Sequence, residues 1–109
     1  MRPIPNQYEF MNQTWRIRPA QYKELKDDMG ECDPMSNTIK VDPTLPPDVF
    51  LQTLMHEILH SWEITMQLDL PERTVDLLAL SLIHFFKTNQ KFAELFTAED
   101  TDNDTTSEE

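Results

Sequence analysis

A chain of 109 residues with a formal net charge of −11 has room for one domain and one apolar core. That charge counts against nucleic acid as a direct ligand and against a membrane surface, because anionic partners reward clustered Lys and Arg and only nine are present, scattered. A single cysteine, Cys32, excludes an internal disulfide framework and a cysteine-rich zinc knuckle, so any metal must be held by His and carboxylate.

In chain order, MRPIPNQYEF has no apolar segment of signal-peptide type and no later apolar run approaches a bilayer span, so a cytoplasmic location is expected. TWRIRP at 14–19 alternates Trp15 and Ile17 with Arg16 and Arg18, which suits a short strand with one buried face. AQYKELKDDM at 20–29 reads as a helical turn or two. GECD at 30–33 and TIKVD at 38–42 flank the turn-rich PMSN, a β-hairpin pattern with Ile39 and Val41 on one face. The prolines of TLPPD end the extended pattern, and a long helix is expected from near Pro47.

At about 100° per residue with His56 at zero, Leu51, Leu54, Met55, Ile58, Leu59 and Trp62 of this helix fall between about 160° and 300°, a core-facing stripe. His56 and His60 sit beside it at about 0° and 40°, and Glu57 at about 100°. Two imidazoles four residues apart converge on one tetrahedral zinc ion without backbone strain, and the glutamate between them reaches a water on the metal without ligating it. HEILH is thus the HExxH arrangement of metal-dependent peptidases. Chance produces that string in on the order of one chain in a few hundred of this length, but seldom on a patterned helix with apolar residues such as Ile58 and Leu59 between the histidines.

A catalytic zinc keeps three protein ligands and one open position. Downstream candidates for the third are Glu63, Asp69, Glu72, Asp76 and His84. A second helix is expected from about Pro71 to Asn89, its core arc formed by Val75, Leu78, Ala79, Leu82, Ile83, Phe85 and Phe86. His84 faces away from that arc and reads as an ordinary solvent-edge histidine. Glu72 lies on the apolar face, where a carboxylate wants a positive partner. It competes with a capping box, in which Asp69 would be the N-cap and Glu72 would fold back to its amide. Asp76, at the edge of the arc, is either a partner holding a histidine or an alternative third ligand, and Glu63 and Asp69 read as solvated. From Thr97 the chain is almost all Thr, Asp, Glu, Ser and Asn, so residues 1–96 are expected to form the single domain and 97–109 a disordered acidic tail.

LQTLMHEILH, followed by LDLPERTVDLLALSL and FFKTN, resembles the small phage- and prophage-encoded zinc metallopeptidases with a minimal zincin-like fold. WRI and GECDPMSNTIKVDPTLPPDVF are similar to the N-terminal part of that family, and the resemblance covers roughly residues 14–90. It implies an α+β architecture in which a strand and a hairpin pack on the active-site helix, beside a second long helix. HEILH with ERTVD also resembles the HExxH and ExxxD pair of gluzincins. Carried over, that makes His56, His60 and Glu72 the ligands of Zn²⁺, Glu57 the general base, and Asp76 the carboxylate that orients a ligand histidine. With only eleven residues between His60 and Glu72, the first helix is expected to stop soon after Trp62. Tyr8, Tyr22 and Arg16 are the residues available to stabilise an oxyanion.

The function so implied is hydrolysis of a peptide or protein substrate in the bacterial host or phage-infected cell by a water on zinc, with an extended substrate adding to the edge of the TIKVD hairpin. The alternative is a non-catalytic interaction module, zinc-stabilised or metal-free. A third and weaker reading makes the acidic tail a decoy for a basic protein.

Overall fold

The computed structural model describes residues 3–97, folded as an α+β domain of one four-stranded sheet and three helices. Strand β1 (Gln7–Phe10) turns into β2 (Gln13–Pro19) through Met11 and Asn12, both left-handed with φ of 51° and 66°. Two consecutive left-handed residues give the turn whose twist matches an antiparallel hairpin. The pattern of the sequence predicts no strand here, although Tyr8 and Phe10 alternate with Gln7 and Glu9, because Met11 is not a turn residue.

Residues 20–29 form turns rather than the expected helical segment. Left-handed φ at Lys23 (64°) and Lys26 (57°) interrupts any helical run. The segment is held by buried Leu25 and by the Arg18 guanidinium, which grips both oxygens of Glu24 at 2.9 and 2.5 Å. That grip lowers the Glu24 carboxyl to about 2.

Strands β3 (Gly30–Asp33) and β4 (Thr38–Val41) form the expected hairpin. The sheet order is β1-β2-β4-β3, with β4 parallel to β2 and antiparallel to β3. β4 is therefore interior, which removes the TIKVD strand as a free edge; on that side of the sheet the edge is β3. Ile39 and Val41 are wholly buried and, with Trp15 and Leu54, form the core between the sheet and the first helix.

Helix α1 (Pro47–Met66) has proline at its first position and Asp48 in its first turn, both favourable at a helix N-terminus. Its apolar stripe divides: Leu54 and Ile58 meet the sheet, while Met55, Leu59 and Trp62 meet Val75 and Ala79 of helix α2 (Glu72–Thr88). Each such large apolar side chain, fully buried, contributes about 1.5–3 kcal/mol. α1 lies between the sheet and α2.

The structure departs from two expectations and from one of the alternatives. α1 does not stop soon after Trp62 but runs a further turn, to Met66, and ends at left-handed Gln67, with the Leu68 N–H closing on the Glu63 carbonyl at 2.9 Å. Asp69 caps nothing: Pro71 holds the N-cap position of α2 and makes no side-chain cap bond. Of the arc expected to be core on α2, only Val75 and Ala79 are buried; Leu82 and Ile83 are half-buried, and Leu78, Phe85 and Phe86 are exposed, because α1 covers one narrow side of the helix. A short α3 (Gln90–Thr97) follows and buries no residue. The expected acidic tail lies, beyond Thr97, outside the described residues.

Candidate metal centre

Helix phase on α1 places His56 and His60 between its two packed sides, so their rings face the gap between α2 and β3. The rings meet edge to face, centroids 4.7 Å apart, with their Nε2 atoms at 3.0 Å. Glu72, the first residue of α2, brings Oε1 to 2.6 Å from His56 Nε2 and 3.0 Å from His60 Nε2. His56, His60 and Glu72 thus form a group that can hold a metal ion. The Glu72 side chain is 68% exposed, so it enters from the mouth of the site rather than from the apolar face.

Each histidine is held from behind. His56 Nδ1 lies 2.7 Å from Asp76 Oδ1, one helical turn after Glu72, and His60 Nδ1 lies 2.9 Å from Glu63 Oε1. A carboxylate accepts only, so each Nδ1 carries the hydrogen and a neutral ring presents its Nε2 lone pair to the centre. Three acceptor atoms then converge within 3.0 Å with no hydrogen between them. Such a cluster is repulsive unless a cation, metal or proton, sits among them. The His60 pKa follows that logic: burial lowers it, but the hydrogen bonds the ring makes to Glu63 and Glu72 outweigh the burial and the net shift is upward. The hydrogen bond from His60 chiefly lowers Glu72.

Glu63 is the residue that pattern reading missed. It is buried, 9% exposed, rather than solvated. The Leu70 N–H donates to its Oε2 at 2.6 Å, which, with His60, holds its carboxyl below the usual glutamate range. Position i+3 from a ligand histidine, followed by a loop, is the only local signal that could have found it. Asp69 and His84 are both exposed and lie outside the group.

A cavity of about 490 Å³ opens over the centre, floored by α1, with β3 on one side and Glu72 and Asp76 on the other. Glu57 faces it from the β3 side, and burial raises its carboxyl above the ordinary range. Gly30, the single glycine, permits this closeness: a Cβ there would lie 2.8 Å from Thr53 Cγ2 and 3.2 Å from Glu57 Cγ. Compared with known protein families, curated proteins and solved structures, the chain matches none. What the centre can do is therefore read from its own geometry.

None of the residues set aside for oxyanion stabilisation reaches the cavity. Half-buried Tyr8 bonds to Ser61, which in turn donates to the Ile58 carbonyl at 2.5 Å, and burial pushes the phenol up to about 12. Tyr22 lies exposed in the 20–29 turns, and Arg16 is exposed on β2. Among the described residues, no Tyr, Arg or Lys lines the cavity. No described helix is long and apolar enough to cross a membrane.

Proposed function

We propose that the chain is a zinc-dependent metallopeptidase with a minimal zincin-like fold, of the kind found in small phage- and prophage-encoded enzymes, acting in the cytoplasm on peptide or protein substrates. One observation carries the reading: both Nδ1 hydrogens are committed to carboxylates, so three lone pairs converge beside a glutamate of raised pKa. The donor set fits zinc. Zn–N and Zn–O bonds of about 2.0–2.1 Å at tetrahedral angles would separate ligand atoms by about 3.3 Å, so the two 3.0 Å gaps would open by about 0.3 Å and the 2.6 Å gap between His56 and Glu72 by about 0.7 Å. With three protein donors among the described residues, His56, His60 and Glu72 would hold the metal and leave room on the cavity side for a water, as catalysis requires and a closed structural site does not.

When bound, zinc supplies an acidified water and polarises a carbonyl. Glu57 takes the proton of the attacking water and passes it to the leaving amine, a relay favoured by a carboxyl whose pKa lies above the usual range. His56, His60 and Glu72 hold the centre, while Asp76 and Glu63 keep the rings in register. The free edge beside the cleft is β3, so an extended substrate adds to Gly30–Asp33 rather than to β4. N-methylation of substrate amides flanking the scissile bond is then expected to raise KM, and an unchanged KM rules out strand addition.

The test is elemental analysis of protein purified without chelator or affinity-tag metal, paired with hydrolysis of a quenched-fluorescence peptide library. About one zinc per chain, lost in Glu72→Ala, and turnover lost in Glu57→Gln with zinc retained, is the expected result. The lack of a cationic or phenolic oxyanion donor around the cavity favours one competitor, a zinc-stabilised interaction module. Zinc bound through the same residues, with no turnover in the wild type, would favour that module instead.

A further inference from the structure

We propose that Glu63 is a positioning residue that ties two metal donors together: its single carboxylate fixes the ring of His60 and anchors the turn that delivers Glu72. This rests on the metal reading above. Glu63 lies three residues after His60 on α1 and is buried. Its Oε1 faces His60 Nδ1 at 2.9 Å, its Oε2 accepts the Leu70 N–H at 2.6 Å, and its main-chain carbonyl accepts the Leu68 N–H at 2.9 Å. Only Pro71, with its fixed φ, separates Leu70 from Glu72, so a shift of Leu70 carries over to the donor oxygen. The same residue therefore holds the end of α1, the α1–α2 turn and one imidazole. Asp76, by contrast, pairs with His56 and is 60% exposed.

The chemistry of the carboxylate is specific to this task. Both partners, the ring N–H and the main-chain N–H, are donors, and each takes one carboxylate oxygen. An amide has one acceptor oxygen and one donor N–H₂ in place of two acceptor oxygens, so Glu63→Gln cannot accept from the ring N–H and the Leu70 N–H through separate oxygens as the carboxylate does. If its N–H₂ turns towards His60, the ring hydrogen moves to Nε2 and that nitrogen no longer faces the centre with a lone pair.

The experiment uses the full chain as wild type, Glu63→Gln, Glu72→Ala and the double variant. It measures zinc Kd by competition with a chromophoric chelator, the absorption spectrum of the Co²⁺-loaded protein, and hydrogen exchange of the Leu70 amide without metal. Glu63→Gln is expected to weaken zinc about 10- to 100-fold, to shift the cobalt spectrum and to speed Leu70 exchange. Its effect on Kd, read by titrating zinc back into the Glu72→Ala background that loses the metal on purification, shrinks severalfold, because one of the two donors it positions is gone. A lower melting temperature with unchanged Kd and cobalt spectrum overturns the proposal, as does an equal loss of affinity in both backgrounds. If Glu63→Gln does not fold, the wild type alone decides: a Leu70 amide exchanging as fast as an open loop overturns the anchor, and a slow one supports it. A wild type that takes up no metal overturns the metal reading and this one with it. Metal binding indifferent to Glu63 overturns this one alone.

Discussion

Glu57 and Glu72 face one cavity, and their surroundings push them in opposite directions: burial raises Glu57, while the hydrogen bond from His60 lowers Glu72. The division suits a proton carrier beside a permanently charged donor. Glu57→Gln is expected to lower turnover by about 10²–10⁴-fold while zinc content stays the same. Asp76→Ala, which leaves His56 Nδ1 without its acceptor, is expected to weaken zinc about tenfold or more in chelator competition. The histidine and carboxylates also set a pH window for the metal-free chain. Glu63 and Glu72 are lowered, so their contribution is present above about 4.3, the ordinary glutamate value, and is lost as pH falls through their lower folded values. His60 is raised, so its contribution is present below about 6.5 and is lost as pH rises through its raised folded value. A zinc ion held by His60 would require the unprotonated Nε2, so the rise in Tm on adding zinc is expected to grow as pH increases through that same region. Thermal melts from about pH 4 to about pH 9, with and without zinc, check this. A zinc increment independent of pH would count against it.

At the scale of elements, the cleft depends on how closely β3 approaches α1. Gly30 makes that approach possible, since the nearest obstacles to a Cβ are a β-branched side chain at 2.8 Å and the Lys40 carbonyl at 3.2 Å, neither able to swing away cheaply. Gly30→Ala is expected to cost about 1–3 kcal/mol. At this chain length that lowers Tm by about 4–8 °C per kcal/mol, and it moves the strand off Glu57. Calorimetry and the KM of the variant measure the two effects. The hairpin and both long helices were legible because their signals are local: turn residues around PMSN, prolines at 46 and 47, and apolar positions at helical spacing. β1 and the 20–29 turns were not, because they depend on left-handed backbone at Met11, Lys23 and Lys26, residues that do not advertise it.

For the molecule as a whole, the apolar contact between α1 and α2, built on Leu59, Val75 and Ala79, ends early. α2 carries an uncharged run from Leu77 to Phe86, yet Leu77, Leu80, Phe85 and Phe86 remain exposed, and α3 adds Phe92, Leu95 and Phe96 to the exposed set. Phe92 meets only the edge of this surface, its ring centroid 5.8 Å from that of Phe85. Stability thus resides in the sheet, α1 and the first half of α2. Replacing Phe92 and Leu95 together by serine is expected to change stability by under about 1 kcal/mol and to leave zinc content intact. A large fall in Tm, read by the same calorimetry, would mean that α3 contributes to the core after all.

What the sequence determined by itself is what one helix can specify: the pairing of His56 with His60, the offset of Glu57 and the stripe that buries α1 follow from a period of about 3.6 residues, whatever surrounds them. Tertiary structure alone decided the rest. Glu72 meets the histidines, and not a capping amide, because α2 packs through Val75 and Ala79 onto Leu59 and sets its first turn at the mouth of the site. Asp76 and Glu63 find the two Nδ1 atoms through that packing and the turn between the helices. β3, not β4, became the edge beside the cleft because β2 pairs in parallel with β4, a contact between strands distant in sequence. Local periodicity fixes direction along an element; which surfaces meet depends on how much area each can bury, and no short stretch of sequence carries that information.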